Sequence, residues 1–266
     1  MQKIIINADD FGMSKGINYG VMEAYLNGIV SSTLLMPNLE AAEHAVKLAK
    51  AACPDLFIGQ HTNFLLGKPC SDPAKIPSMV DKNGDFHRSA YYRSGKGHFV
   101  YDEVCLETIA QMGRFKELLG HFPEHIDCHA VGDEVVDQAF YDIALEYGIH
   151  TTLKYSGDKV WPSLPGYVET GLLLEVNGLP FIENGTLVEN FLRDDFGLLR
   201  QDSEKVIEMH FDAGFLDQFV LDNSSMTTPR CRELATLCDP RVREWFDVNG
   251  LERIHFGDLK LGDFSG

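Results

Sequence analysis

The stretch Ile4-Ile5-Ile6-Asn7-Ala8-Asp9-Asp10-Phe11-Gly12 joins an apolar run to two adjacent acidic residues near the start of the chain. The apolar run predicts a strand, and the two carboxylates follow just past its end, where the chain begins to turn. Adjacent side chains of a strand point to opposite faces, so one acid can bind a metal while the other acts as a base. A solvated Asp-Asp turn that caps the next helix is the alternative interpretation, and this segment alone does not decide between them.

Strands and helices alternate along much of the chain beyond this stretch. The predicted strands cover residues 30–36, 56–63, 125–128, 150–153 and 253–256, and a further strand ends at His210. The predicted helices cover residues 40–52, 101–119, 137–147, 230–237 and 240–248, and another begins after Ser14, a favourable N-cap residue. This alternation predicts an α/β fold, an irregular TIM-like barrel of parallel strands covered by helices.

Three histidines each close a segment that is predicted to be a strand. His61 ends the segment 57–61, His129 ends the segment 125–129 and His210 ends the segment 206–210. In a parallel barrel the carboxyl ends of the strands lie on one face, so these histidines and the two acids should gather there. One Asp and two His with an open position for water form the donor set of a hydrolytic metal site. A single histidine is more often a core or surface residue, but the repeated position favours a shared site.

Several short motifs occur together in the first 150 residues. They are Asn7-Ala8-Asp9-Asp10-Phe11-Gly12, Ser14-Lys15-Gly16, Asn18-Tyr19-Gly20, Gly28-Ile29-Val30-Ser31-Ser32-Thr33, Ile58-Gly59-Gln60-His61 and His125-Ile126-Asp127-Cys128-His129. As a set they resemble the YdjC-like carbohydrate deacetylases, the family of chitooligosaccharide deacetylase, and the remainder of the chain resembles them loosely. The resemblance implies a metal-dependent hydrolase that removes acetyl groups from N-acetylated sugars, such as chitooligosaccharide or diacetylchitobiose, with or without a phosphate.

The resemblance also implies a role for each of five site residues. Asp10, His61 and His129 would bind one divalent metal ion, Asp9 would be the general base and His210 the general acid. Two histidines and one carboxylate favour zinc or another transition metal over magnesium, which prefers oxygen ligands. The ion remains open between zinc and magnesium at this point, because occupancy also follows availability.

Two segments depart from the pattern of the family. The family usually has a proline directly after the histidine that corresponds to His210, whereas this chain has Phe211 and then Asp212. A His-rich run commonly follows the ligand that corresponds to His129, whereas residues 130–134 read Ala-Val-Gly-Asp-Glu here. Such residues shape the substrate cleft, so the exact sugar stays open. The stretch after His129 is also a second candidate source of the general acid.

The length and composition fit one domain over residues 1–266. The chain has 266 residues, of which 44% are hydrophobic, and barrels of about 250 residues commonly form a single domain.

Two long loops are predicted at about residues 64–99 and 155–200, where proline and glycine favour turns. In the first loop, Phe86, Tyr91, Tyr92 and Phe99 could either stack on sugar rings or pin the loop to the body.

The charge balance restricts the partners of the protein. The formal net charge is -17, with 23 basic and 40 acidic residues, and this charge repels phosphate backbones and anionic membrane surfaces. We therefore expect a small oligosaccharide substrate and neither a nucleic-acid nor a membrane partner, although a local pocket of Arg and Lys can accept a sugar phosphate. A homodimer is a candidate assembly.

The cysteines and the first residues bear on the location of the protein. The six cysteines form no CxxC pair, and the sequence has no leading apolar segment. Together these features predict a cytoplasmic protein with reduced thiols.

Two other functions remain open from the sequence. A glycosidase or phosphoglycosidase that cleaves a cellobiose-like disaccharide phosphate would use paired carboxylates. A non-catalytic sugar-binding barrel would keep the fold without turnover. The chain has neither a GxGxxG motif nor a GxxxxGKS/T motif, so dinucleotide and P-loop nucleotide binding have no support.

Overall fold

The computed structural model describes residues 1–154, 159–173, 175–176, 179–180, 185–201 and 204–261. The strands in these residues are β1 (Lys3–Phe11), β2 (Ser32–Leu35), β3 (Phe57–Thr62), β4 (His125–Cys128), β5 (His150–Thr151), β6 (Thr170–Leu173), β7 (Glu175–Val176), β8 (Leu179–Pro180), β9 (Val206–Phe211) and β10 (Glu252–Ile254). The helices are α1 (Lys15–Leu26), α2 (Ala42–Ala52), α3 (Ser89–Arg93), α4 (Tyr101–Leu119), α5 (Glu134–Tyr147), α6 (Val188–Leu192), α7 (Gln218–Asn223), α8 (Thr228–Leu237) and α9 (Pro240–Val248).

Parallel strands form one curled sheet in the order β5-β4-β3-β2-β1-β9-β6, and β10 joins it beside the beginning of β1. β9 pairs with one edge of β1. On the other edge, β10 pairs with residues 3–5 of β1 and β2 pairs with residues 7–11. β5 and β6 lie at the two ends of this order and do not pair with each other in the described residues, so the barrel is open between them. The predicted irregular TIM-like barrel of parallel strands is confirmed.

β1 separates the barrel interior from the layer of helices. Its even-numbered side chains from Ile4 to Ala8 pack in the large apolar cluster that includes residues of α1, α2 and α9. Ile5 packs inside the barrel with a smaller cluster, and Asn7 and Asp9 follow it in the same alternation. The barrel interior is therefore apolar near the middle of β1 and polar towards its carboxyl end, where parallel barrels hold their active sites.

Local sequence explains where several helices begin and end. The side chains of Ser14, Asp133 and Asp239 accept backbone N–H hydrogen bonds in the first turns of α1, α5 and α9. The cap at Asp133 starts α5 at Glu134, three residues earlier than predicted. α4 has the predicted bounds and ends at Gly120, whose φ of 95° is the left-handed conformation that glycine favours at this position.

The first predicted loop, 64–99, packs closely on the barrel. It contains α3 and a single turn of 3-10 helix, and Phe86 and Phe99 are buried against Phe64. Tyr92 stacks on Phe99, with ring centroids 4.5 Å apart. Phe86, Tyr92 and Phe99 therefore pin the loop to the body of the protein, which is the second of the two alternatives given for them.

Part of the second predicted loop, 155–200, belongs to the sheet. β6 pairs with β9 as an edge strand, although its sequence Thr-Gly-Leu-Leu is too short to show an alternating pattern. Residues 155–158, 174, 177–178 and 181–184 of this predicted loop lie outside the described residues. In the part of the chain that the structure describes, no helix combines the length and the apolar character needed to cross a membrane.

Candidate metal centre and catalytic site

The two acidic residues lie within β1, and not past its end as expected, because β1 continues to Phe11. Asp10 has a left-handed backbone with φ of 67°, and the pairing of β1 with β2 changes register between Ala8 and Phe11. Such an irregularity resembles a β-bulge, which redirects side chains at the rim of a barrel. As a result, the carboxylates of Asp9 and Asp10 both face the site instead of opposite faces of the sheet.

The structure brings Asp10, His61 and His129 together at the carboxyl ends of β1, β3 and β4. Asp10 Oδ1 lies 2.8 Å from His129 Nδ1 and 3.3 Å from His61 Nε2, and these two ring nitrogens are 3.3 Å apart. One carboxylate oxygen and two imidazole nitrogens thus converge in the arrangement that a single divalent cation requires. Asp10 and His61 are buried, whereas 13% of the His129 side chain is exposed, which gives the cluster an open side.

Asp127 on β4 orients one of the predicted ligands. Its Oδ1 accepts a hydrogen bond of 2.5 Å from His61 Nδ1, which directs His61 Nε2 towards Asp10. Carboxylates in this position fix the ring orientation and the tautomer of metal-binding histidines. Lys154 Nζ lies 2.7 Å from Asp127 Oδ2. Burial alone would raise the pKa of Asp127, but the charges of His61 and Lys154 hold that pKa well below its usual range.

Arg230 on α8 neutralises the second oxygen of Asp10. The guanidinium is buried, and its Nη2 donates to Asp10 Oδ2 over 2.8 Å. Burial alone would raise the pKa of Asp10, but His129 and Arg230 lower it well below its usual value. Asp10 is therefore ionised and presents Oδ1 to the two histidines.

Asp9 lies beside the ligand cluster and contacts a different set of groups. Its Oδ1 accepts a hydrogen bond of 2.5 Å from Asn7 Nδ2 and lies 3.2 Å from His210 Nδ1. Its Oδ2 lies 3.8 Å from Lys154 Nζ. Burial raises the pKa of Asp9, but the charges of His210, Lys154 and His61 lower it overall. Asn7 is the partner that fixes the orientation of this carboxylate, and the sequence did not identify it.

His210 on β9 is held between two carboxylates. Its Nδ1 faces Asp9, and its Nε2 lies 3.2 Å from Glu208 Oε2. Burial alone would lower the pKa of His210, but the charge of Asp9 and the hydrogen bonds to Asp9 and Glu208 raise that pKa to about 9. His210 is therefore an imidazolium at neutral pH, which is the state that a proton donor needs.

The residues after His210, where the family has proline, hold the end of β9 in place. Phe211 pairs with Ala8 of β1 and is buried in the core. The backbone N–H of Asp212 donates to the buried carboxylate of Glu233 over 2.8 Å. Burial raises the pKa of Asp212 to about 6 in spite of the nearby charge of Arg230.

The residues after His129, where the family has a His-rich run, start a helix. Ala130, directly after His129, has a left-handed backbone with φ of 51°. Asp133 caps α5, and Glu134 lies 3.5 Å from Lys159 Nζ. The described contacts of Asp133 and Glu134 are therefore structural.

The turn between β1 and α1 contains Gly12-Met13-Ser14-Lys15-Gly16, which has the GxSxG spacing of many serine hydrolases. Ser14 is buried, and its Oγ accepts the backbone N–H of Ile17 at the start of α1. Within the described residues Ser14 has no histidine partner that could act as its base. Ser14 is a helix cap here, and the spacing does not mark a nucleophile.

Sequence reasoning missed five residues that support the site: Asn7, Asp127, Lys154, Glu208 and Arg230. Three of them stand two positions before a predicted site residue, and the alternation of a strand places such pairs on the same face. That spacing could have identified Asn7, Asp127 and Glu208. Lys154 follows β5 and Arg230 lies on α8, and no local pattern marks either of them.

Comparison with known proteins agrees with the family resemblance of the motifs. The family model described as YdjC-like protein matches residues 3–248. Carbohydrate deacetylase 2 of Listeria innocua is 33% identical, over 97% of this chain and 98% of the relative. Chitooligosaccharide deacetylase of Yersinia pestis is 30% identical, over 91% of this chain and 94% of the relative. The chain also superposes on the solved structure of a proposed cellobiose-phosphate cleavage protein of Enterococcus faecalis, with a TM-score of 0.84. The two sequences are 25% identical, and the superposition covers 98% of this chain and 99% of the other. The resemblance is thereby confirmed, and the chain belongs to the YdjC-like family.

Proposed function

We propose that this protein is a divalent-metal-dependent N-deacetylase that releases acetate from short N-acetylglucosamine oligomers. The observation that carries the proposal is the convergence of Asp10, His61 and His129, with Asp9 and His210 beside them. Hydrolysis of an amide needs an activated water, stabilisation of the oxyanion and a proton for the departing amine. The cluster contains a group for each of these tasks.

The donor set of the cluster fits a divalent cation. Asp10, His61 and His129 would hold the ion, and two nitrogens with one oxygen favour zinc or another transition metal over magnesium. Such an ion supplies a Lewis acid for the attacking water and for the acetyl carbonyl. Asp127 and Arg230 would support the ligands, because one orients His61 and the other neutralises the outer oxygen of Asp10.

Asp9 accepts the proton of the attacking water in this proposal. Its lowered pKa keeps the carboxylate ionised at neutral pH, as a general base requires. The hydrogen bond from Asn7 holds Oδ1, so Oδ2, on the side of Lys154, is the oxygen that remains for the water.

His210 donates a proton to the amine nitrogen as the carbon–nitrogen bond breaks. The donated proton comes from Nδ1, because this nitrogen lies on the side of Asp9 while Nε2 faces Glu208. After the reaction Asp9 carries the proton of the water and His210 has lost one. Loss of the proton on Asp9 Oδ2 to solvent and uptake of a proton from solvent by His210 Nδ1 restore both groups.

The name of the Yersinia pestis relative supports chitooligosaccharides as the substrate class. The name of the Enterococcus faecalis structure instead favours cleavage of a cellobiose phosphate as a second candidate. Glycoside cleavage needs one carboxylic acid that is protonated near neutral pH. The pKa values of Asp9, Asp10 and Asp127 are all lowered, so these three carboxyl groups suit amide hydrolysis better. Asp212, whose pKa is raised to about 6, is the carboxyl group beside them that a glycosidase would use as its acid.

The proposal can be tested by measuring acetate and shortened sugars in the same reactions. The panel would contain N-acetylglucosamine, diacetylchitobiose, its phosphate and cellobiose phosphate, with protein stripped by a chelator and then reloaded with zinc. We expect acetate from the acetylated oligomers only after reloading, with the chain length of the sugar unchanged. A shortened sugar without acetate would contradict deacetylation and support the glycosidase.

A further inference from the structure

Glu208 contacts the proposed proton donor from the side away from Asp9. It lies on β9 two residues before His210, and its Oε2 is 3.2 Å from His210 Nε2. The same oxygen accepts a hydrogen bond of 2.5 Å from the hydroxyl of Thr152, which follows β5. The Glu208 side chain is fully buried, so both contacts replace water. The two ring nitrogens of His210 therefore face two different carboxylates.

Glu208 also lines a polar cavity where the barrel is open. The cavity has a volume of about 190 Å³ and lies between β5 and β6, with Tyr141 and Trp161 in its wall. Four buried polar atoms of its lining have no partner in the described residues: Glu208 Oε1, His150 Nδ1, Thr151 Oγ1 and Trp161 Nε1. Buried polar groups in such a cavity are normally satisfied by ordered water. The wall of the cavity beside Glu208 is therefore polar.

We propose that Glu208 is the positioning residue of the proton donor. It holds the Nε2–H of His210, so that Nδ1 is the nitrogen that gives up its proton. This inference rests on the proposed deacetylation. Glu208 itself does not touch the substrate and acts only through the imidazole.

The charges around the pair explain why Glu208 decides the protonation of His210. The groups that face the pair are Asp9 from β1, His125 and Asp127 from β4, His150 from β5, and Lys154 after β5. Burial alone would raise the pKa of Glu208, but the hydrogen bond from His210 and the charges of His150 and His210 lower it to about 2. Glu208 therefore stays ionised over the working pH range and opposes loss of the His210 proton.

The variant Glu208→Gln removes the charge while its amide oxygen still accepts from His210 and Thr152. In the zinc-loaded enzyme we expect the alkaline limb of kcat on diacetylchitobiose to move down by about one pH unit or more, the effect of removing an adjacent opposite charge. This shift corresponds to a loss of about 5-fold in kcat at pH 9 and about 10-fold at pH 10, whereas the zinc content per chain should stay that of the wild type. An alkaline limb that coincides with that of the wild type would overturn the proposal.

Glu169→Gln is the matched control, because Glu169 lines the same cavity but is exposed and paired with Lys205 over 2.6 Å. This variant should keep the wild-type pH profile. If Glu169→Gln moves the alkaline limb as far as Glu208→Gln does, the shift comes from the loss of any negative charge at the cavity. The positioning role of Glu208 would then be wrong.

A measurement on the wild-type protein keeps the inference testable if Glu208→Gln does not fold. Nitrogen-15 NMR of histidine-labelled, zinc-loaded protein should show His210 losing its Nδ1 proton at high pH while Nε2 stays protonated. A neutral His210 with its proton on Nδ1 would contradict the role of Glu208. Because this experiment needs no substrate, its result is independent of whether the protein releases acetate.

Discussion

The proposed metal-binding side of the site and the proposed proton-donating side are built differently. On the first side, β1, β3 and β4 bring three donor atoms within 3.3 Å of one another, and the left-handed residues Asp10 and Ala130 flank them. On the second side, β9 holds His210 between two carboxylates, next to a polar cavity at the open edge of the sheet. Backbone shape positions the donors of the metal side, whereas charge sets the state of the imidazole on the other side.

This difference predicts two kinds of response to mutation. Removal of one donor from the metal side should abolish the site as a whole, because a cation held by three protein ligands depends on each of them. Changes on the proton side should instead alter the dependence of the rate on pH and on the leaving group, because they act on a single proton transfer.

The largest effect is expected for His61→Ala and His129→Ala. Each variant removes one of the three donors, so metal content per chain should fall sharply and deacetylation should fall to background. Metal analysis after gel filtration and an acetate assay would measure both. His121→Ala, at an exposed histidine beyond the end of α4, is the control and should keep both. Full metal retention in both ligand variants would rule out this site.

The next largest effect is expected for Asp9→Asn. The asparagine is nearly the same size but cannot accept the proton of water, so kcat should fall by about 100-fold or more, as for loss of a general base. Metal content should remain near that of the wild type, whereas Asp10→Asn should lower it. If Asp9→Asn empties the site and Asp10→Asn does not, the roles of the two neighbours are exchanged.

His210→Ala should separate the proton side from the metal side. As the proposed proton donor, His210 would act in its protonated form, and its pKa is raised to about 9, so the wild-type rate should fall as pH rises through about 9. The variant should lose this alkaline limb and about 100-fold or more of the rate on an N-acetyl sugar.

An acetyl ester is the matched substrate for this variant, because its alkoxide leaving group needs a proton less than an amine does. His210→Ala should therefore lose much less rate on the ester and keep its metal. Equal losses on amide and ester substrates would make His210 a structural residue and move the search for the acid to another group.

The sequence predicted the metal side more completely than the proton side. The acidic pair, His61 and His129 stand at the ends of strands in the first half of the chain, where apolar runs and helix caps make the elements easy to predict. A parallel barrel predicts that these residues gather on one face, but it does not predict that both acids face the site. The bulge at Asp10 was missed, because a positive φ at a non-glycine residue has no clear sequence pattern.

The proton side could be predicted only in part. His210 was identified as the end of an apolar segment, but Glu208 was overlooked because a buried carboxylate inside a strand resembles an ordinary polar interruption. β6 is an edge strand of four residues, too short for its periodicity to be distinguished from that of a loop. Thr152 and Lys154 act on the site through contacts with residues far away in the sequence, which local patterns do not encode.

The smallest effect concerns the strained backbone on the metal side. Ala130 is exposed and left-handed, a conformation that costs a non-glycine residue about 1–2 kcal/mol. Ala130→Gly removes this cost but adds about 0.4–1 kcal/mol of chain entropy in the unfolded state. We therefore expect the free energy of unfolding of the metal-free protein to rise by up to about 1.6 kcal/mol, measured by urea denaturation.

Ala130→Val should have the opposite effect, because a β-branched residue is poorly tolerated at positive φ, and we expect a loss of about 1–3 kcal/mol. Ala51→Gly, on the exposed face of α2, is the control for the direction of the effect. No strain is relieved there, so this substitution should destabilise the protein by about 0.5–1 kcal/mol.

The zinc affinity of Ala130→Gly distinguishes relief of strain from a role in positioning His129. This variant leaves all three donors in place, so its zinc affinity should change by less than about 3-fold, or 0.7 kcal/mol. A larger loss of affinity with unchanged stability would mean that the stiff turn at Ala130 holds His129 in position, and that the metal side depends on backbone rigidity as well as on its ligands.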